Sequence, residues 1–344
     1  MCNEQARRCT RTPGTRLASF ACMLYGVTPM PPAPDSRDWH ATFRQWAKPP
    51  SETEDQKAAN AATMIRDAIS ASTALKNRNI DVYVTGSYRN NTNARTESDV
   101  DVAVVLKNSF FYDLPNGLTS DMLQFGPAPT YSFDAFRDDV EAALRAKFGR
   151  GVNPGDKAFD VHETSYRLDA DVSVFLPHRR YTGQRNGDGA WSYYEGVEMR
   201  PRGGVPARII NWHQQQYDQG VAKNEVTGRR FKRVTRILKR LRTEMTGSRA
   251  QGERDAASPI TSFFIECLVY NAPNTLFNSA TETYYEDAKK VVGWAWNQID
   301  KGQHADMKEV SEMKWLFRSG QNWTSDQAKA FLVAAWNYVG FSNT

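Results

Sequence analysis

Residues 86–106 read GSYRNNTNARTESDVDVAVVL: a Gly-Ser pair, an eleven-residue gap, then Asp99 and Asp101 at the mouth of an apolar run. The preceding IDVYVTGS (residues 80–87) alternates as a strand that ends in the Gly86-Ser87 turn, and SDVDVAVVL (residues 98–106) predicts a second strand. Alternate residues of a strand share a face. Asp99 and Asp101 therefore project together, while Val100, Val102, Val104 and Leu106 fill the other side. Neighbouring carboxylates repel, and a divalent cation between them removes the repulsion. Mg²⁺ takes one or two protein carboxylates and completes its shell with phosphate and water. Two such ions about 3.5–4 Å apart can hold the attacking and leaving oxygens of a phosphoryl transfer. Glycine lets backbone approach a ligand, so the N–H groups of Gly86-Ser87 and the Ser87 hydroxyl suit phosphate oxygens.

A two-ion site calls for a third carboxylate. The candidates are Asp160, Glu163, Asp169 and Asp171, in residues 157–176, which predict two strands around a short turn. Asp171 opens DVSVFL much as Asp99 opens DVDVAVVL. Asp169 has the same parity, so periodicity leaves it open. Asp171 is favoured because it lies nearer the buried part of its strand, where positioning is tighter.

The rest of the 344 residues sets the frame. A hydrophobic fraction of 40% and an aromatic fraction of 12% describe a globular chain, not a disordered one. The net charge of +5 is local in origin. RRFKRVTRILKRLR (residues 229–242) carries eight basic and no acidic side chains, and without it the chain stands near −3. Four cysteines with no CxxC pair and five scattered histidines argue against a zinc site or a disulfide framework, and fit a reducing, cytoplasmic setting. No apolar run is long enough to span a membrane. Residues 1–35 end in the Pro-rich TPMPPAPD and are expected to be a disordered or loosely attached extension, with LASFACMLYGV (residues 17–27) as a weak signal-like core.

Helices are expected over residues 52–72, where Ser51 and Glu54 form a capping box, and over 132–149, closed by Gly149. Beyond residue 205 the pattern turns helical, over 206–219, 228–245, 259–270, 281–299 and 325–338. Residues 36–204 thus read as an α/β catalytic core and 205–344 as a helical domain, with the active site in the cleft between them.

The strand, Gly-Ser, DxD and later aspartate together resemble the DNA polymerase β-like nucleotidyltransferase superfamily. YRLDADVSVFLPHRRY, GRRFKRVTRILKRLRTEM, SPITSFFIECLVYNAPN and MKWLFRSGQNWTSDQAKAFLVAAWNYVGF narrow it. They resemble the bacterial cyclic GMP–AMP synthase-like nucleotidyltransferases (CD-NTases), from about Trp39 to the end. The resemblance implies an α+β fold: a mixed sheet flanked by helices, packed on a C-terminal helical bundle. It implies synthesis of a cyclic di- or trinucleotide from nucleoside triphosphates such as ATP and GTP. Pyrophosphate leaves, two Mg²⁺ ions assist (with Mn²⁺ as a substitute), and a separate effector reads the product in antiphage signalling (CBASS). Residue by residue, Asp99, Asp101 and Asp171 match the metal ligands, with Asp171 also activating the acceptor hydroxyl. Gly86 and Ser87 match the triphosphate-binding pair, and Lys239 a basic position facing the donor phosphates. The His/Cys zinc insertion of the animal DNA sensor has no match, so no nucleic-acid requirement is carried over. Rival functions are RNA 3′-end extension, transfer to a small molecule or protein, and an inactive nucleic-acid-binding relative.

The basic helix admits three readings. Phe231, Val234, Ile237, Leu238 and Leu241 form its packed stripe. Its basic residues suit a solvated face, a nucleic-acid contact or a nucleotide contact. Trp294, Trp296, Trp315, Trp323 and Trp336 are expected in the helical core. His178 and His213 are expected in structural or surface roles.

Overall fold

The computed structural model describes residues 37–94, 99–162 and 169–341. The extension at residues 1–35 and the candidate Glu163 lie outside the described residues.

Helix α1 (Trp39–Trp46) comes first, capped by the Asp38 carboxylate on the Ala41 N–H. Helix α2 (Glu52–Ala71) starts at the expected capping box. The Ser51 hydroxyl accepts from the Glu54 N–H at 3.3 Å, and the Glu54 carboxylate from the Ser51 N–H at 2.7 Å. Strand β1 (Ile80–Val84) follows. The Gly-Ser pair corrects one expectation: it is not a plain turn but the start of a short helix, α3 (Gly86–Asn90). Strand β2 (Val100–Leu106) is central in the sheet, between β1 and the strand Ala170–Arg185, and is buried from Val102 onward, its side chains joining an apolar cluster with the helices that cover the sheet. Asp99 immediately precedes it.

Next come β3 (Phe111–Asp113), α4 (Ser120–Leu123) and α5 (Phe133–Phe148), with α5 ended by Gly149 at φ 60°. Strands β4 (Val152–Pro154) and β5 (Phe159–Val161) lead to the long β6 (Ala170–Arg185). This strand outruns the expected end at residue 176. Its first half pairs with β2 and β5, and its second half pairs with β3 and with β7 (Trp191–Met199), which periodicity did not reveal. Strand β8 (Ile209–Asn211) hydrogen-bonds to β7 and takes residues expected to be helical. The mixed sheet runs β1-β2-β6-β5-β4, with β2 and β6 parallel and the β1, β5 and β4 pairings antiparallel.

The helical part comprises α6 (His213–Val226), α7 (Arg230–Thr246), α8 (Gln251–Ala257), α9 (Ser262–Asn271), α10 (Tyr285–Asp300) and α11 (Ser325–Val339). Helix α8 is an addition to the expected set. Two apolar clusters result. One joins the sheet to α2 and α5; the other centres on α7 and includes α9, α10 and α11. Trp39 and Phe43 of α1 pack in the helical cluster, although the sheet follows them in sequence. The Arg236 guanidinium fastens this crossover, donating to the Ala47 carbonyl at 2.9 and 2.7 Å.

The apolar stripe of α7 is buried as expected. Its basic side is not a uniformly solvated face: Arg236 and Lys239 are buried too, and Arg230 pairs with Asp287 at 2.6 Å. Trp323 and Trp336 are buried, and Trp294 and Trp296 pack against the helical cluster. Trp315 departs from the expectation, remaining 49% exposed. His178 is a buried structural residue, its Nδ1 2.8 Å from Glu198 Oε2.

Candidate active site

The β1–β2 ladder continues one residue beyond β1, since the Thr85 N–H donates to the Asp101 carbonyl at 2.8 Å. That bond delivers Gly86 directly against Asp101. Gly86 has φ +61°, and a Cβ there would lie 1.9 Å from Asp101 Oδ2. The glycine is therefore required by backbone conformation and by the neighbouring carboxylate, a different cause from the phosphate approach inferred from sequence.

In the parallel β2–β6 pairing, Asp101 lies opposite Asp171. Asp160 lies opposite Asp171 on the other flank. Asp99, Asp101, Asp171, Gly86 and Ser87 line one wall of a cleft of about 480 Å³; Asp160 and Asp169 are not among its lining residues. Asp169 contributes through its backbone, its carbonyl accepting from the Val100 N–H at 2.8 Å. That bond opens the β2–β6 ladder and sets the register that brings Asp101 and Asp171 together.

Burial first, and then the charges of Asp171 and Asp99, push the Asp101 pKa up to about 6; Lys239 acts the other way. Asp171 is raised as well, by burial and then by Asp99, Asp160 and Asp169. Carboxylates kept close under mutual repulsion fit a hard divalent cation, whose charge would reverse both shifts. Among the described residues no three acidic, His or Cys side chains are already drawn into a metal cage. The fit therefore rests on the oxygen donor set and its repulsion.

The opposite wall comes from the helical part, with Lys239, Glu266, Ser262 and Phe263 lining it, and Trp212 and His213 at the join. Lys239 is not the exposed cation that a basic stripe suggests, being 3% exposed. Its ammonium donates to Glu266 Oε2 at 2.7 Å and to Thr92 Oγ1 at 3.1 Å. Burial pushes the Glu266 pKa up, but the Lys239 charge and the hydrogen bonds from Lys239, Thr92 and Gln216 outweigh it and hold the carboxyl below its ordinary value. His213 also exceeds its expected role by lining the cleft. Its pKa is pushed down to about 4 by burial and then by Arg89 and Lys314, so the ring is neutral at pH 7. Glu266, Thr92, Gln216 and Trp212 were not singled out from sequence; the one available signal was a lone acid inside the apolar run SFFIECLV.

Residues 68–149 match the nucleotidyltransferase domain model, and residues 218–340 match the cGAS/DncV-like nucleotidyltransferase C-terminal helical domain. The chain is 41% identical over 307 residues to a cyclic dipyrimidine nucleotide synthase, CdnE, of Legionella pneumophila, covering 88% of this chain and 99% of that protein. A second cyclic dipyrimidine nucleotide synthase, from Cecembia lonarensis, is 37% identical, covering 86% and 96%. The structure of the Elizabethkingia meningoseptica CdnE cyclic dinucleotide synthase with GTP and Apcpp superposes with a TM-score of 0.69 at 32% identity, covering 88% of this chain and 98% of that one. With both halves matched and the shared lengths nearly complete, the chain belongs to the cGAS/DncV-like nucleotidyltransferase (CD-NTase) family.

Proposed function

We propose that this nucleotidyltransferase joins two nucleoside triphosphates into a cyclic dinucleotide, releasing pyrophosphate, and that pyrimidine nucleotides are among its substrates. The observation that carries the chemistry is Asp101 opposite Asp171 in a cleft that also holds Asp99, Gly86 and Ser87. The pyrimidine preference is supported by the relatives at 41% and 37% identity, both named for dipyrimidine products.

Asp99, Asp101 and Asp171 would hold two Mg²⁺ ions, or Mn²⁺ in their place. Bound there, these ions supply charge neutralisation at the phosphates and acidify the attacking hydroxyl. The chain's own residues do the rest. Gly86 and Ser87 donate to the phosphates of the donor nucleotide and fix its α-phosphorus beside the carboxylates. Asp171 accepts the proton of the acceptor 2′- or 3′-hydroxyl. Lys239, paired with Glu266, donates its remaining N–H to the phosphates. The cleft aligns hydroxyl and leaving group, and positioning with charge stabilisation provides most of the rate in such transfers. A second transfer in the same cleft closes the ring. We further propose that the enzyme works in the cytoplasm and that a separate effector reads its product as an antiphage alarm. Among the described residues no helix is long and apolar enough to cross a membrane.

Incubation with labelled ATP, GTP, CTP and UTP, with and without RNA, tests this. The expected result is a phosphatase-resistant cyclic product that contains a pyrimidine and forms without RNA. Linear RNA extension alone, or no turnover with Mg²⁺ or Mn²⁺, would overturn it.

A further inference from the structure

The loop after α3 and the helical wall are joined by one buried polar cluster. Glu266 of α9 is its hub. Glu266 Oε2 accepts from Lys239 Nζ of α7 at 2.7 Å and from the Thr92 hydroxyl at 2.5 Å; Oε1 accepts from Gln216 Nε2 of α6 at 3.2 Å. Lys239, Thr92 and Glu266 are each 3% exposed or less. Thr92 follows α3, which begins at Gly86 and Ser87, and its N–H donates back to the Ser87 carbonyl at 3.0 Å. Arg236 holds the same loop, donating to the Asn91 carbonyl at 2.6 Å. One buried carboxylate thus holds Lys239 directly and the Gly86-Ser87 segment through Thr92.

A lysine ammonium has three N–H donors and a flexible stem. Glu266 and Thr92 take two, and Lys239 lines the cleft, so the third can meet a bound anion. Without these two acceptors the ammonium would have many rotamers and no fixed aim. A group so held loses less freedom when it binds, which raises affinity without adding a contact.

We infer that Glu266 is a positioning residue: it aims Lys239 at the triphosphate and, through Thr92, fixes the Gly86-Ser87 segment at the matching distance. This inference rests on the nucleotidyltransferase reading of the cleft. It assigns Glu266 no contact with substrate. Its effect is on triphosphate affinity more than on turnover of bound substrate, because both elements it holds face the phosphates.

The test uses the full chain and three variants: Glu266→Gln, Thr92→Val and Thr92→Ser. Glutamine keeps the shape of Glu266 and loses its charge. Valine keeps the shape of Thr92 and loses its hydroxyl, which serine restores. Affinity is read by calorimetry with a non-hydrolysable triphosphate analogue, kcat and KM by pyrophosphate release, and stability by thermal unfolding. Glu266→Gln is expected to weaken analogue binding by about tenfold or more and to raise KM accordingly, as loss of a charge-assisted contact does. Thr92→Val is expected to act in the same direction, and Thr92→Ser to return KM to within about twofold of the parent, a rescue expected of hydroxyl-dependent positioning. Should Glu266→Gln fail to fold, the threonine pair decides. Unchanged affinity in Glu266→Gln, or lowered melting with unchanged KM in Thr92→Val, would make the cluster a purely structural tie and overturn the inference. Failure of the parent chain itself to bind any triphosphate would instead bring down the functional reading beneath it.

Discussion

On the sheet wall of the cleft, Asp99, Asp101 and Asp171 gather negative charge, and burial with like charge raises Asp101 and Asp171 above their ordinary pKa. On the helical wall, Lys239 is neutralised by Glu266; behind it on the same helix, Arg230 pairs with Asp287 and Arg236 is capped by the carbonyls of Ala47 and Asn91. Both sides bury ionisable groups, and burial and Arg233 hold the Arg236 pKa down, but it is the sheet wall that sets carboxylates against one another in the cleft lining. Conflict that costs folding energy and lies in a cleft marks where a ligand of opposite charge completes the protein. Charge that is internally satisfied marks where the scaffold holds itself together. The same residue types therefore predict opposite responses to substitution on the two walls.

The sharpest way to break this contrast is to remove the sheet carboxylates. Asp99→Asn, Asp101→Asn and Asp171→Asn should each lower kcat by about a thousandfold or more with the fold retained, since each removes charge stabilisation made in the transition state. Gly86→Ala should join them in the activity assay, because its Cβ would strike the Asp101 carboxylate at 1.9 Å. Near-parent turnover in the Asp99/Asp101 double variant would show that these carboxylates do not carry the chemistry.

On the helical wall the expected loss is in stability, in addition to the triphosphate affinity that depends on Lys239. Lys239→Ala leaves Glu266 charged and unpaired among buried groups, a change that typically costs about 3–5 kcal/mol. An exposed lysine would cost within about 0.5 kcal/mol, so denaturant unfolding distinguishes the buried pair from a surface charge. Lys239→Met with Glu266→Leu should recover part of the loss, since the orphaned charge is gone. A single variant as stable as the parent would mean that the two walls do not differ as described.

Asp101 sharpens the comparison from the other side. Its pKa is raised from 3.8 to about 6, so the folded state binds its proton more tightly than the unfolded chain does. Its contribution favours folding at low pH and is lost as pH rises through that interval. Without divalent ions, Asp101→Asn should therefore be more stable than the parent at pH 7, on the order of 3 kcal/mol, with the difference vanishing below about pH 4. Adding Mg²⁺ should stabilise the parent and not the variant. A destabilised variant at pH 7 would place Asp101 among the satisfied charges of the opposite wall.

How far these differences could be read from sequence depends on the range of the interactions behind them. The capping box at Ser51, the end of α5 at Gly149 and the apolar strand behind Asp101 are set by residues a few positions apart, and local pattern identified them. The second half of β6 and its partner β7 were missed because residues 177–195 are rich in Arg, Tyr and Gly, and their strand state depends on the β3 and β7 pairings. The burial of Lys239 is illegible for a related reason, although its place facing the cleft agrees with the expectation. In RILKRLR it looks like one more solvated cation, and its burial is decided by Glu266, 27 residues away, and by Thr92, 147 residues away. Periodicity reports which face of an element is apolar; it does not report which polar side chain finds a buried partner.

The smallest expected effect tests the assignment on the sheet wall itself. Asp169 and Asp171 share strand parity, and sequence alone favoured Asp171 only by its place nearer the buried run. In the structure their contributions separate. Asp171 lies opposite Asp101 in register and lines the cleft, while the Asp169 carbonyl accepts from Val100 and its side chain is not part of the lining. A backbone carbonyl survives a change of side chain. Asp169→Asn should therefore keep the ladder bond and the register, and only remove one of the charges that raise the Asp171 pKa. The expected result is kcat within about threefold of the parent and stability within about 0.5 kcal/mol, as for a substitution away from the reacting groups. Parallel kinetics of Asp169→Asn and Asp171→Asn decide the point. A collapse of activity in the first with near-parent activity in the second would move the third carboxylate two residues upstream and take Asp171 out of the catalytic set.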